Sequence, residues 1–481
     1  MLIRQTFTRL GLGISIVITW LVVLLRIQPW PFSDYLVFLA VARRLHAGDV
    51  LYEGVWDNKD PFVYYSIALV QDLGQPALWA LEAAWFLIAA FSIYLIARHF
   101  ALSRHWSLFI GAVLVPIALI PFHYFPGTTH LPGISLSLLT LATFLGKRYA
   151  LSGIALGLLF FFKLTMLPIP LIAIAVIALR HRTRPRTLIP VVLGSLITVG
   201  IGAVVIAVRG EFVPYLGSLL HNFIYSQTNT QSGATGFAAS VTERLTVFSD
   251  VHVLITIVVI GLILAITFTR GHRNDEWILT ATTFALGVLS IAAIGKFPHH
   301  AQVLGVSAAL ALITFAVAFS QLRQARPVFT AVILLVIAIG LTGGPYLKGY
   351  VDALRNPQGT WNSMTTIDPA TQDLLDRGPP RSFAVVQGAG MPRSPGLEEW
   401  DLACRHLAQR PWESAELLQE SLDCFPTADV LLIPRDFTVS PEPPAYRRFL
   451  QGVQALLNEE YVCTPGIANT VCSRPGAIER G

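Results

Sequence analysis

Stretches of apolar residues long enough, or nearly so, to cross a bilayer recur along most of this chain. They fall near 10–28, 77–97, 106–122, 131–146, 150–162, 164–179, 187–208, 251–269, 276–295, 301–320 and 327–345. A segment of about 17 to 25 such residues reads as a spanning helix. Composition agrees: of 481 residues, 54% are apolar and 13% charged, with a mean hydropathy of +0.60. Soluble domains carry about 25% charged residues, so a large water-facing domain is excluded. Disorder and collagen-like repeats are excluded too, because the 36 Gly and 30 Pro are scattered among apolar runs. The chain is predicted to be a polytopic membrane protein. No small-residue cleavage site follows the first span, which therefore reads as an anchor rather than a removed signal.

Charge gives the direction. Residues 1–345 hold 22 Lys+Arg and 12 Asp+Glu, and the rest hold 12 and 17, which together give the net +5 of the chain. Fourteen of those 22 basic residues sit in six short connections: Arg4 and Arg9; Arg98 and Arg104; Lys147 and Arg148; Arg180 to Arg186; Arg270 and Arg273; Arg323 and Arg326. The positive-inside rule puts these connections, and the N-terminus, in the cytoplasm. The apolar stretch from Ala150 to Arg180 can keep both flanking basic clusters inside only as two short helices turning at Lys163. About eleven spans and an outer C-terminal part follow. The basic pI then reflects membrane-flanking arginines and says nothing of nucleic acid. Of the 12 acids before 345, only Asp275 and Glu276 fall on the cytoplasmic side, and six crowd the first outer loop.

That loop, residues 29–76, is too polar to span and too apolar to be merely solvated. Ser33-Asp34 opens a helical pattern with Tyr35, Phe38, Leu39, Ala42 and Leu45 on one face, and Gly48 ends it. A second helix opens at Asp60-Pro61, with Phe62, Tyr65 and Leu69 on one side. Asp60 before Pro61 reads as a helix cap. Two short amphipathic helices between spans are expected to lie along the bilayer surface. They would frame a cavity rimmed by Asp34, Arg43, Arg44, Asp57, Lys59 and Asp60.

An acid soon after the first span, a helix ending in Gly, and the segment "WDNKDPF" (56–62) resemble the first loop of GT-C glycosyltransferases. These are membrane enzymes that use polyprenyl-phosphate sugars: protein mannosyltransferases, aminoarabinose transferases, and mycobacterial mannosyl- and arabinosyltransferases. Their usual wording is Lys-Pro-Pro-Leu, whereas this chain has Lys59-Asp60-Pro61-Phe62. "GIALGLLFFFKLTMLPIP" is similar to the family's segment with a lysine at the outer end of a short helix, here Lys163. "GKFPHHAQVL" (295–304) is similar to its late outer-loop motif. The resemblance covers roughly residues 1–345. It implies an all-α polytopic GT-C-like domain; the apolar periodicity of spans ends at Pro345, which leaves 346–481 as the outer C-terminal part.

Inverting sugar transfer from a polyprenyl phosphate needs one base to deprotonate the acceptor hydroxyl, which contributes about 10²–10⁴-fold. It also needs positive charge on the departing phosphate, and it does not need the paired carboxylates of hydrolases. By resemblance Asp34 is the base; its structural alternative is an acid favouring a helix dipole. Lys59, Lys163, Arg43, Arg44, Arg209 and Lys296 are candidate donor-phosphate ligands, the arginines having headgroup snorkelling as the alternative. Lys163 interrupts an apolar run, and an ionisable residue at that depth marks function. By the same logic Glu82 is either functional or the structural partner of a buried cation. His299 and His300 are candidates for phosphate or a divalent cation, and Asp57, Asp60 and Glu82 for acceptor or metal. His123, His130 and His221 also fall outside, but no spacing specifies a metal. No tightly bound cofactor is expected, though a divalent cation is compatible with these residues. The organisation suits a multi-pass protein of a bacterial plasma membrane, and the Arg-over-Lys bias and the Ala and Gly content point to a high-GC bacterium.

Residues 211–250 read as a helix (Phe212, Tyr215, Leu216, Leu219, Leu220 and Phe223 at helical spacing) followed by a polar loop, either a lid or a linker. In the C-terminal part, "SFAVVQG" (382–388) and "ADVLLIP" (428–434) read as strands. Residues 397–409 and 443–457 read as helices, and 460–476 as a hairpin. A small α/β domain results. Its four cysteines imply two disulfides. Of three connectivities, Cys463–Cys472 across the hairpin with Cys404–Cys424 is preferred. A lipid-linked-sugar flippase or transporter and a non-catalytic scaffold are the competing functions. No paired internal repeat supports a transporter.

Overall fold

The computed structural model describes residues 2–26, 34–120, 129–228, 247–269, 274–294 and 298–320. In the C-terminal part it describes 382–386, 401–406, 415–434, 444–465 and 469–475, together with single positions 333, 376, 409, 437 and 439. The eleventh expected span, 327–345, lies outside these apart from position 333. The chain divides into two compact units. One holds Met1–Pro29, Leu73–Val205 and Arg244–Leu354; the other holds Trp30–Asp72, Ile206–Glu243 and Arg355–Gly481.

The first unit is helical. It contains α1 (Leu2–Arg26), α4 (Gln75–His99), α5 (Arg104–Phe109), α6 (Val115–Leu119), α7 (His130–Leu145), α8 (Tyr149–Lys163), α9 (Pro168–Arg180), α10 (Pro185–Val208), α12 (Val251–Thr269), α13 (Asp275–Ile294) and α14 (Gly305–Ser320). Five segments, Pro76–His99, Tyr149–Met166, Pro185–Val208, Asp275–Ala293 and His300–Ser320, are long and apolar enough to cross a membrane, and five shorter apolar helices accompany them. Their surfaces agree with that reading. On α10, Leu196, Ile201 and Val204 are each about three-fifths exposed, and a ridge of bare aliphatic side chains is stable against lipid rather than water. The expected turn at Lys163 is present: its backbone leaves the helix (φ −163°, ψ 77°) before a single 3₁₀ turn, Leu164–Met166. At the far end of α9, Arg180 Nε meets Asp275 at 2.9 Å and His181 pairs with the same carboxylate. The basic cluster after α9 and the acids opening α13 therefore share one end of the unit.

Gly153 and Gly157 let α8 approach α10 closely. A Cβ on Gly153 would lie 2.1 Å from the Val191 carbonyl oxygen and 2.8 Å from the Ser195 nitrogen, both backbone atoms that cannot swing away. Such small-xxx-small pairs let helices in lipid gain van der Waals contact. Gly153→Ala is therefore expected to cost about 1–3 kcal/mol, read as a lower thermal midpoint in detergent. Gly200→Ala, with nothing within 4 Å, is expected to leave that midpoint unchanged.

The second unit brings together α2 (Asp34–His46), α3 (Pro61–Gln71), α11 (Phe212–Thr228) and the C-terminal strands and helices. On α2 the predicted face is buried at Phe38, Ala42 and Leu45, while on α3 the buried face is Val63, Tyr64 and Ile67 and Leu69 is exposed. The C-terminal part forms a five-stranded sheet from β1 (Ser382–Val385), β2 (Asp401–Leu402), β3 (Val430–Pro434), β4 (Val462–Pro465) and β5 (Asn469–Ser473), in the order β2-β1-β3-β5-β4. The β2-β1-β3 part is parallel and the β3-β5-β4 part antiparallel. Helices α15 (Ala415–Cys424) and α16 (Pro444–Glu460) accompany it. Phe425, Leu431, Phe449, Leu450 and Val453 fill the core. One expectation fails: within 397–409, Asp401–Leu402 pair with β1 and residues 403–406 are not helical. Strand pairing wins there over a helical pattern that was only local, and the helix lies instead at α15. The disulfides join Cys404 to Cys424 (Cα–Cα 5.8 Å) and Cys463 to its cross-strand partner Cys472 (3.9 Å).

Candidate active site

In the second unit, the loop carrying Asp57, Asn58, Lys59 and Asp60 is tied down by tyrosines and by α11. The Tyr64 hydroxyl donates to Asp57 Oδ2 at 2.6 Å, and the Asn58 N–H donates to Asp57 Oδ1 at 2.8 Å. The Tyr52 hydroxyl donates to the Lys59 carbonyl at 2.7 Å, and the Lys59 N–H reaches the Tyr64 oxygen at 3.3 Å. From α11, Asn222 Nδ2 donates to the Asn58 carbonyl at 2.9 Å and the Tyr215 hydroxyl to Asp60 Oδ1 at 3.2 Å. Burial raises the pKa of Tyr52, Tyr64 and Tyr215, and the neighbouring carboxylates raise it further. All three therefore keep their protons and act as donors. Lys59 Nζ donates one proton to Asn58 Oδ1 at 2.7 Å, and an ammonium carries three.

Tyr52 also bends the chain. Its φ is 68°, in the left-handed region that a bulky residue enters only when its surroundings over-determine it. Those surroundings are visible: the ring is buried and stacked on Tyr215 at 5.7 Å, the hydroxyl is held by Lys59, and the N–H donates to the Val55 carbonyl at 2.7 Å. Strain of this kind is stored where geometry matters.

Asp34 is the first residue of α2, although its side chain is not among those described. Arg43 and Arg44 lie in the last turn of α2, where Arg44 pairs with Asp49. Asp60 occupies the N-cap position of α3 but makes no side-chain cap bond. Its carboxylate accepts from Tyr215 instead, which corrects the expectation that capping explains it.

Arg209 acts as a strut. Its Nε meets Glu211 at 2.8 Å, its Nη2 donates to the Leu45 carbonyl at 3.3 Å, and its guanidinium lies 5.3 Å from the Tyr65 ring centre. These contacts lock the turn after α10 to both helices of the first loop. The Glu211 side chain is 0% exposed, and its Oε2 has no hydrogen-bond partner among the described residues. Burial pushes its pKa up to about 7, with the Leu51 N–H pulling the other way. The folded protein therefore holds a proton on Glu211 that the unfolded chain releases between about pH 4.5 and 7. Stability from this site is largest in acid, falls as pH rises through that window, and is level above it. Relative to Glu211→Gln, the wild-type thermal midpoint is expected to drop between pH 5 and 7.5 by the equivalent of about 1–3 kcal/mol. A constant difference across that range would show that Arg209 keeps the carboxylate charged throughout.

The first unit holds the remaining candidates. Lys163, half-buried at the helix break, packs against the start of α7. A Cβ on Gly133 would lie 3.1 Å from Lys163 Cβ and 2.6 Å from Met166 Sδ, so glycine there makes room for the lysine. One turn earlier is the buried His130, whose ring centre is 6.4 Å from that of His300. Glu82 is buried in α4. His299 lies in the 3₁₀ segment Pro298–Leu304 with its side chain undescribed, and Lys296 and His123 lie outside the described residues. Sequence reasoning missed Tyr52, Tyr64, Tyr215 and Asn222, and it did not pair His130 with His300. Among the described residues no group of three or more His, Cys, Asp or Glu converges as a metal site.

By sequence, the chain matches no protein-family model and no curated protein. By structure, it is similar to ArnT from Cupriavidus metallidurans bound to undecaprenyl phosphate, with a TM-score of 0.62 and 14% identity over 97% of this chain and 98% of that one. The apo state of ArnT gives 0.59 and 14%, over 98% and 99%. From end to end the chain has the fold of ArnT.

Proposed function

We propose that this protein is an inverting glycosyltransferase that moves a sugar from a polyprenyl-phosphate donor to a hydroxyl of a cell-envelope acceptor at the outer face of the plasma membrane. The observation that carries this reading is the end-to-end likeness to ArnT, whose structure holds undecaprenyl phosphate. The sugar is mannose, arabinose or a relative, and the acceptor a glycan, glycolipid or protein. Asp34, opening α2 directly after the first span, is the general base. Lys59 meets the donor phosphate, with Lys163, Arg43, Arg44, His299, His300 and Lys296 as alternative candidates for that role. Asp57 and Asp60 hold the Lys59 loop in shape through Tyr64 and Tyr215.

The orientation has the N-terminus inside, residues 1–345 as the eleven-span catalytic part, and 346–481 outside. It is supported by the distribution of basic residues and by the two disulfides, which persist in oxidising compartments. The test is transfer from radiolabelled polyprenyl-phosphate mannose or arabinose by the purified protein in liposomes containing envelope acceptors. Label is expected on a hydroxyl-bearing acceptor, with release of polyprenyl phosphate. Label that crosses the bilayer still attached to its lipid would mark a flippase and overturn the reading.

A further inference from the structure

Trp56, the residue just before the Asp57–Asp60 loop, is where three distant parts of the second unit meet. Its backbone N–H donates to the Arg405 carbonyl at 2.9 Å, and Trp56 and His406 form an isolated parallel β-bridge. Its indole lies 5.4 Å from the His406 ring and, edge-on, 5.6 Å from the His221 ring of α11. His406 is only 4% exposed, and its Nε2 lies 3.3 Å from the Glu420 carboxylate, which Arg405 also pairs. Glu420 sits on α15, whose last residue, Cys424, is bonded to Cys404, two positions from His406. The C-terminal part thus grips the first loop by main chain and by ring, and a disulfide stiffens the grip.

None of these groups has a chemical step to perform, but their place has a consequence. The four residues Asp57–Asp60 are anchored at one end by Trp56 and at the other by the start of α3 at Pro61. A lysine carries its charge on a flexible stem, so its aim depends on where the backbone is held, and misplacement of about 1 Å can cost 100-fold in rate.

We propose that Trp56 and His406 are positioning residues: the C-terminal part, through this clasp and the Cys404–Cys424 bridge, sets where Lys59 presents its ammonium to the donor phosphate. The proposal rests on Lys59 being a donor-phosphate ligand. It gives the C-terminal part a role in donor binding rather than in covering the membrane domain.

The test is binding of undecaprenyl phosphate to the detergent-purified full-length protein, with the dissociation constant and thermal midpoint measured on the same samples. Trp56→Ala and His406→Ala each remove the ring contact and leave the main-chain bridge in place, and each is expected to weaken binding about three- to tenfold, the net worth of one aromatic pair. The double variant is expected to match the weaker single one, and Trp56→Phe to bind nearly as wild type. Adding Trp56→Ala to Lys59→Met is expected to cost nothing further, because the clasp acts only through that lysine. The joint variant Cys404→Ser/Cys424→Ser supplies the same comparison if Trp56→Ala does not accumulate. A lower thermal midpoint with unchanged affinity would overturn the proposal. So would effects of Trp56→Ala and Lys59→Met that add in full. If Lys59→Met alone binds as wild type, the underlying reading of Lys59 falls and the clasp proposal with it.

Discussion

Asp34→Asn is expected to lower sugar transfer about 100- to 10,000-fold, the range a positioned general base supplies, while the protein still folds and binds undecaprenyl phosphate. Asparagine keeps the size and polarity of aspartate but cannot take the acceptor's proton. The loss should therefore appear equally in kcat and kcat/KM, as for an interaction made in the transition state. Folding is expected to survive because α2 is anchored by Phe38, Val41, Ala42 and Leu45, well past its first residue. An acid that merely favours the helix dipole would give a different result: about 0.3–1 kcal/mol of stability and a transfer rate close to wild type. Rate and thermal midpoint measured on one preparation separate the two.

Lys59→Met is the second large effect. Removing one group that stabilises developing charge typically costs about 10²–10³ in rate, and because the phosphate is present before and after transfer, binding of undecaprenyl phosphate is expected to weaken as well. Methionine retains most of the stem. The loop backbone is held by Tyr52, Tyr64 and Asn222 through main-chain atoms of Asn58 and Lys59, so the substitution removes charge without releasing the loop. Lys59→Arg is expected to recover part of the binding, since the charge returns in a different geometry. A thermal midpoint that falls sharply while affinity holds would assign Lys59 to the fold instead.

Much of this was legible from the residues, for physical reasons. A helix in lipid must satisfy its own backbone and show apolar side chains outward, so the described helices α1, α4 to α10 and α12 to α14 follow the apolar runs. Gly48 and Pro61 punctuate the first loop where α2 ends and α3 starts. Lys163 marks the helix break because a charged residue cannot sit in mid-bilayer without a reason.

What could not be read depends on pairings with no fixed spacing. Tyr215 reaches Asp60 across 155 positions and Asn222 reaches Asn58 across 164. Trp56 meets His406 from the far end of the sequence. The left-handed Tyr52 stands where glycine or asparagine would be expected, so only its tertiary surroundings explain it. Gly153 and Gly157 did carry a usable signal, the small-xxx-small spacing, which the apolar periodicity around them concealed.

The most direct test of donor-dependent transfer is a cryo-EM structure of the protein with a polyprenyl-phosphate sugar bound. The phosphate is expected within hydrogen-bond reach of the Lys59 ammonium, with the Asp34 carboxylate facing the anomeric carbon across room for an acceptor hydroxyl. A phosphate seated away from Lys59, or an Asp34 carboxylate packed against protein or lipid with no cleft beside it, would contradict the assignment.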